Sequence, residues 1–271
     1  MSVANFIPQV WEAALMKNFY EHSIVNTITT KPTKIEGNKI IFNRISSIEV
    51  SDYDPATSLT YPAIDTTKVE LPMDIKKRFT FSVDDVDAIQ AAGDIMGPAI
   101  EDAASRMQEA IDKLVLNEAL SNTGAAVTKA SGENIYDVIV NLNMALNKKK
   151  VPKTGRYIVI NAEALANLEK DARFTHEYTL LENGLMEGAR VKGIQLIFSE
   201  ELNAGEEAVL LLHTSAIGYG SQLQKTEAIR LESKFADAVR GLQVCGCKTL
   251  RPEAIAFYAK AKATEDQTGK K

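Results

Sequence analysis

Three segments decide the fold: Lys39-Ile40-Ile41-Phe42-Asn43-Arg44-Ile45, Lys68-Val69-Glu70-Leu71-Pro72-Met73-Asp74-Ile75 and Arg78-Phe79-Thr80-Phe81-Ser82-Val83. Side chains of a strand alternate between its two faces, and each segment repeats with a period of two. Between the first segment and the others stand Asp52, Asp54-Pro55, Ser58, Tyr61-Pro62 and Asp65, which are turn and loop residues. Two extended limbs meeting at a loop tip predict a long hairpin from Lys34 to Val83. Limbs of roughly thirteen residues at ~3.3 Å each reach ~40 Å. A compact chain of this size has a radius of gyration of only about 18 Å. Isolated two-stranded hairpins are marginal in water, so this arm expects a partner surface, in its own chain or in another.

Upstream, Phe6, Ile7, Val10, Trp11, Ala14, Leu15 and Phe19 follow helical spacing after Pro8. This opening segment carries the single Trp, and its apolar side needs either its own domain or a neighbouring subunit to cover it. Downstream, Ile100, Ala103, Met107, Ala110, Ile111 and Leu114 recur at three- and four-residue spacing. Glu101, Asp102, Arg106, Glu109, Asp112 and Lys113 decorate the other face. Pro98 suits the first helical position, Asn122 and Gly124 suit the stop, and a helix from Pro98 to about Leu120 is ~35 Å long.

After a small-residue link, Ala125 to Gly132, helices and strands alternate. Asn134 caps a predicted helix through Ile135, Val138, Ile139, Leu142 and Leu146, with Lys148 to Lys150 complementing its C-terminal dipole. Arg156 to Ile160 reads as a buried strand, and Asn161 caps a short helix with Leu165 and Leu168. Residues Asp171 to Arg190 read as polar and irregular. Ile194 to Phe198, Val209 to Leu212, Ile229 to Leu231, Leu242 to Cys247 and Ala254 to Phe257 read as strands. From Lys260 to Lys271 the apolar pattern is lost, and a frayed tail is expected.

Composition narrows the chemistry. The 271 residues are 45% hydrophobic and 25% charged, with a formal charge of −5, which fits a globular protein with a real core. Lys148-Lys149-Lys150 and Lys76-Lys77-Arg78 are the basic runs, too short for the basic face that phosphate neutralisation requires. The N-terminus lacks a basic region followed by an apolar stretch, and Ala208 to Leu212 is far too short to span a membrane. Cys245 and Cys247 stand two apart, which in a strand puts them on one face, where a bridge is hard to close without strain.

Catalytic patterns are absent: no phosphate loop, no G-x-S-x-G, no H-E-x-x-H and no calcium loop. Gly218-Tyr219-Gly220 lacks a third glycine in register and reads as strand glycine. Asp84-Asp85-x-Asp87 lacks the glycine and distal glutamate of a calcium loop and reads as a solvated turn. Glu200-Glu201 and Glu206-Glu207 are sequence neighbours that point apart in a strand, and His22, His176 and His213 are scattered. No enzyme, cofactor or metal is expected.

The order of elements resembles the major capsid protein of tailed bacteriophages, with the Hong Kong phage 97-type fold. The resemblance rests on Asn5-Phe6-Ile7-Pro8 with Trp11, on Phe79-x-Phe81-x-Val83-Asp84-Asp85-Val86-Asp87, and on Arg156-Tyr157-Ile158-Val159-Ile160-Asn161-Ala162-Glu163 with Leu168. Gly193-Ile194-Gln195 with Ser199-Glu200, His213 to Tyr219 and Leu250-Arg251-Pro252-Glu253-Ala254-Ile255 complete it, from Asn5 to Ala259.

The resemblance implies an α+β fold with an N-terminal arm over residues 1–34 and an extended β-hairpin loop over 35–84 that lies across an adjacent subunit. It implies a peripheral domain with a long spine helix over 85–125 and 229–249, an axial α/β domain over 126–228 and 250–259, and a flexible tail over 260–271. Subunit contacts are expected at Phe6, Ile7, Trp11, Tyr53, Tyr61, Arg78, Phe79, Phe81, Arg173, Tyr178 and Arg190. The implied partners are copies of itself in pentamers and hexamers, a portal, and packaged double-stranded DNA touched non-specifically, with assembly in the bacterial host cytoplasm. The best-known member carries a cleaved scaffolding region. Here the chain starts at Met1 and enters the arm directly, so a separate scaffolding protein, or none, is expected. That member also forms a lysine–asparagine cross-link between subunits; Lys39, Lys68, Lys76 and Lys77 lie on the arm without an assignable asparagine and glutamate, and no cross-link is predicted. Two alternatives remain: an encapsulin-type nanocompartment shell, disfavoured by the opening Asn5 to Trp11, and an unrelated α/β enzyme that carries a long hairpin.

Overall fold

A computed structural model describes residues 23–32, 34–36, 39–45, 66–84, 96–174, 179–181, 184–202, 206–231 and 236–260. A short helix, α1 (Val25–Ile28), precedes a three-stranded antiparallel sheet of β1 (Lys34–Glu36), β2 (Lys39–Ile45) and β3 (Thr66–Pro72). β2 and β3 pair from Lys39 opposite Pro72 to Ile45 opposite Thr66, so the expected hairpin limbs do meet.

The return limb differs from the expected single run through Val83. After Pro72 and the buried Met73 the chain enters β4 (Ile75–Asp84), which leaves the hairpin. It pairs antiparallel with β12 (Ala236–Thr249), from Ile75 opposite Cys245 to Asp84 opposite Ala236. Proline offers no N–H to a ladder, which makes it a natural strand end. β11 (Ile217–Arg230) completes this second three-stranded sheet, in the order β11-β12-β4.

Helix α2 (Met96–Ser121) packs against this sheet and runs 26 residues, about 39 Å at 1.5 Å per residue. Pro98 falls within its first turn, where no intrahelical N–H bond is lost. Met107, Ile111, Val115 and Ala119 form the buried stripe at the expected spacing. Asp112 departs from the expected exposed face: it is 5% exposed. At the helix end, Gly124 is required by close approach, because a Cβ there would stand 2.0 Å from the Pro252 carbonyl oxygen.

The remaining strands form a seven-stranded mixed sheet in the order β5-β13-β10-β6-β9-β8-β7. They are β5 (Ala125–Ala126), β6 (Arg156–Ile160), β7 (Thr179–Leu180), β8 (Leu185–Val191), β9 (Ile194–Phe198), β10 (Ala208–His213) and β13 (Ile255–Ala259). β6 lies parallel to β9 and antiparallel to β10, while β13 lies parallel to β5 and antiparallel to β10. Residues 171–190, read as irregular, thus contribute two strands. β8 is hidden in sequence because its register slips between Leu185 and Arg190, which breaks the period of two. Lys192 and Gly193 make the tight β8–β9 turn with φ of 53° and 81°.

α3 (Ile135–Lys148) covers the central strands with Ile135, Val138, Ile139, Leu142 and Leu146. Each fully buried aliphatic side chain of this kind stabilises by roughly 1.5–3 kcal/mol. Its N-terminus carries the predicted cap as a reciprocal box between Asn134 and Asp137. α4 (Ala162–Glu169) is capped by Asn161, whose Oδ1 accepts from the Ala164 N–H at 3.2 Å. That oxygen also accepts from the Ala208 N–H at 3.0 Å, tying α4 to β10.

Candidate functional site

The hairpin root is seated on a bed of glycines. Ile40, Phe42, Leu71 and Met73 form a small core with Val244 of β12, separate from the main one. A Cβ at Gly218 would stand 2.7 Å from the Phe42 ring, and one at Gly220 would stand 2.2 Å from Ile40 Cδ1. At Gly246 a Cβ would lie 2.6 Å from the Pro72 carbonyl oxygen. Three strand glycines therefore let the hairpin lie directly on β11 and β12. The Gly218-Tyr219-Gly220 pattern was legible as strand glycine; its use as a seat needed the fold. The available signal was glycine inside a strand, which marks close approach.

A second surface lies between β4 and α2. Phe79 and Phe81 stack with centroids 6.4 Å apart and planes at 20°. They pack on Ile100 and Ala104 of α2 and stay half-buried. Phe79 crosses over Gly241, its partner on β12, where a Cβ would stand 2.1 Å from Phe79 Cε1. The two rings floor a groove of about 460 Å³ edged by Lys77, Arg78, Asp102 and Arg106. Asp102 accepts from Arg106 Nε at 2.9 Å. Arg78 is exposed, opposite the exposed Leu242 of β12. An aromatic floor with a mainly cationic rim suits burial against another chain.

The other expected contact residues are spread apart. Arg173 donates to Asp137 Oδ1 at 2.7 Å and to Asp171 Oδ2 at 2.6 Å, and lies 4.4 Å over the Tyr136 ring. Hydrogen bonding from this guanidinium holds the Asp171 carboxyl well below the usual carboxylate range. Arg173 is thus committed within its own chain, with an edge left exposed. Arg190 is exposed on β8. Phe6, Ile7, Trp11, Tyr53, Tyr61 and Tyr178 lie outside the described residues, as do Asp85 and Asp87.

Buried polar groups were the main omission from sequence. Arg156 is 4% exposed; it donates to the carbonyls of Pro152 at 2.8 Å and Val151 at 2.6 Å, to Asn147 Oδ1 at 2.9 Å, and to Asn143. Glu207 is 6% exposed and accepts from Lys129 at 3.2 Å, Asn167 at 2.7 Å and the Tyr258 hydroxyl at 3.1 Å. Burial, then the Glu207 charge, pushes the Tyr258 hydroxyl up to about 12. Glu206 points elsewhere, to Lys260 at 3.0 Å, so the adjacent glutamates diverge as expected. Cys245 is buried and Cys247 half-buried, both as thiols. Among the described residues no group of three or more His, Cys, Asp or Glu side chains could hold a metal ion, and no helix is long and apolar enough to cross a membrane.

Solved structures share this fold. A chain of Mycobacterium phage Che8 aligns with a TM-score of 0.67 at 24% identity, covering 87% of this chain and 90% of that one. A chain from the capsid structure of the cyanophage P-SCSP1u aligns with a TM-score of 0.67 at 16% identity, covering 89% of each. One from a virus-like particle of Pyrococcus furiosus aligns with a TM-score of 0.60 at 17% identity, covering 91% and 96%. No curated protein matches the sequence. The hairpin set beside a small sheet, the long helix and the mixed lobe are the α+β, Hong Kong phage 97-type capsid fold. The model of the phage capsid protein family matches residues 68–258, and the chain belongs to that family. It is a major capsid protein, a structural component of the virion that assembles with its own copies into an icosahedral shell.

Proposed function

We propose that the chain closes its shell through pentamers and hexamers around packaged double-stranded DNA, with the hairpin and residues 46–65 reaching over an adjacent subunit. Heterologous contacts between identical subunits close into rings when the rotation permits. Residues 1–34 act as the N-terminal arm and 35–84 as the extended loop, whose last stretch, β4, is the part tied to β12. The peripheral domain comprises 85–125 and 229–249, the axial domain 126–228 and 250–259, and 260–271 the tail. Contacts fall at Phe6, Ile7, Trp11, Tyr53, Tyr61, Arg78, Phe79, Phe81, Arg173, Tyr178 and Arg190. A separate scaffolding protein and a portal assist assembly in the bacterial host cytoplasm. The chain's task is mechanical rather than catalytic.

The observation that carries this reading is the hairpin root. Ile40, Phe42, Leu71 and Met73 are buried there against Val244, which holds this end of the hairpin on β12. A β-hairpin anchored at one end needs cover for the other. Deleting residues 51–67 tests it: the lobe is expected to keep its unfolding transition while closed shells disappear from electron micrographs. Normal particles from the deletion variant would sink the assignment.

A further inference from the structure

Asp112 hydrogen-bonds to the first described residues of the chain. Its Oδ1 accepts from the Ser23 hydroxyl at 3.4 Å and its Oδ2 from the Gln108 side-chain amide at 3.4 Å. The backbone N–H groups of Ile24 and Val25 donate to it as well. Ile24, the N-cap of α1, has no side-chain oxygen with which to cap the helix, so Asp112 supplies one from α2. The segment held this way is a plug. Ile24, Val25 and Ile28 are buried in the main core. Thr30 bridges to Gly218, and its hydroxyl donates to the Thr214 carbonyl at 2.8 Å. Residues 1–22 continue from this plug.

We propose that Asp112 is a proton-operated latch on Ser23–Ile28, holding the plug, and with it the exit point of residues 1–22, more tightly in mild acid than at neutral pH. Among the described residues every hydrogen-bond partner of Asp112 is neutral, and none of them supplies a cation to the buried carboxylate. Burial, partly offset by those hydrogen bonds, pushes its carboxyl up to about 7. In an opened segment the carboxyl is solvated and returns to the ordinary value of 3.8.

A raised carboxyl binds its proton more readily when closed, so the closed state is favoured in acid. Opening then grows about tenfold per pH unit between the two values and levels off above about 7, where both states are charged. The protonated form keeps its bonds, because a carboxamide such as that of Gln108 accepts through its oxygen when turned over. α1 presents no titratable side chain. β4 and β12 bring Lys77 and Cys247 to the α2 flank that carries Lys113 and Glu118, and Glu201 pairs with Lys113 at 3.8 Å. None of these hydrogen-bonds to Asp112.

Hydrogen–deuterium exchange of the full chain from pH 5 to 8, corrected for intrinsic exchange, reads the latch directly. The opening constant of amides 24–29 is expected to rise roughly tenfold per unit to about pH 7 and then flatten. Asp112→Asn, neutral at every pH, is expected to give a flat profile. Ser23→Ala is expected to raise opening throughout and keep the slope. A wild-type profile that is flat between pH 5 and 7 overturns the latch, as does an Asp112→Asn profile that keeps the slope. Should Asp112→Asn fail to fold, the wild-type profile decides alone. The outcome is independent of whether residues 46–65 reach a neighbour.

Discussion

The carbonyl oxygen of Pro72 passes over Gly246, so close that a Cβ at position 246 would stand 2.6 Å away. This contact fixes the corner at which the hairpin parts from β4. The obstructing atom is backbone, which yields less readily than a side-chain tip. Gly246→Ala is therefore expected to destabilise by about 1–3 kcal/mol, the usual range for overpacking. It should also loosen the hairpin root more than the lobe. Chemical denaturation measures the first effect, and exchange at amides 40–42 against those of β10 measures the second. Unchanged stability would mean that the corner is softer than its geometry.

Glu206 and Glu207 should behave as opposites. Glu207 is buried and bonded to Lys129, Asn167 and Tyr258, so Glu207→Ala strands three donors and is expected to cost about 3–5 kcal/mol. Glu206 pairs with the half-exposed Lys260, and Glu206→Ala is expected to cost about 0–1 kcal/mol. Urea unfolding of both variants at one pH checks the contrast. Equal costs would contradict it.

The two cysteines should be inert in the folded protein. Burial is the first cause in both, pushing Cys245 up to about 11 and Cys247 up to about 12, the latter helped by the neighbouring Glu118 charge. Since the thiolate is the reactive form, an aromatic disulfide reagent at pH 8 should label neither at an appreciable rate until the protein is denatured. Two equivalents released rapidly from native protein would place these thiols elsewhere.

What sequence revealed and what it hid divides along the range of the interaction. Asn134, Asn161 and the α3 stripe were legible because a cap and a helical face are written within a few residues. The split of the return limb at Pro72 was not. Val69, Leu71, Met73 and Ile75 alternate without a break, and only β12, some 170 residues further on, decides which half stays with the hairpin. Gly220, Gly241 and Gly246 carry the same lesson, each placed for a side chain or carbonyl from a distant strand. Asp112 was read as surface because its position on α2 is polar by periodicity. Its partner, the Ser23–Val25 turn, lies 89 residues away. Of the expected contact residues, Arg78, Phe79 and Phe81 come together on β4, whereas Arg173 is engaged by Asp137 and Asp171 of its own chain.

Membership of the phage capsid protein family makes self-assembly the central claim about this chain. Electron microscopy of the purified, concentrated full chain tests that most directly. Closed icosahedral particles, alone or with a candidate scaffolding protein, are the predicted result. Only small discrete oligomers under both conditions would contradict the account.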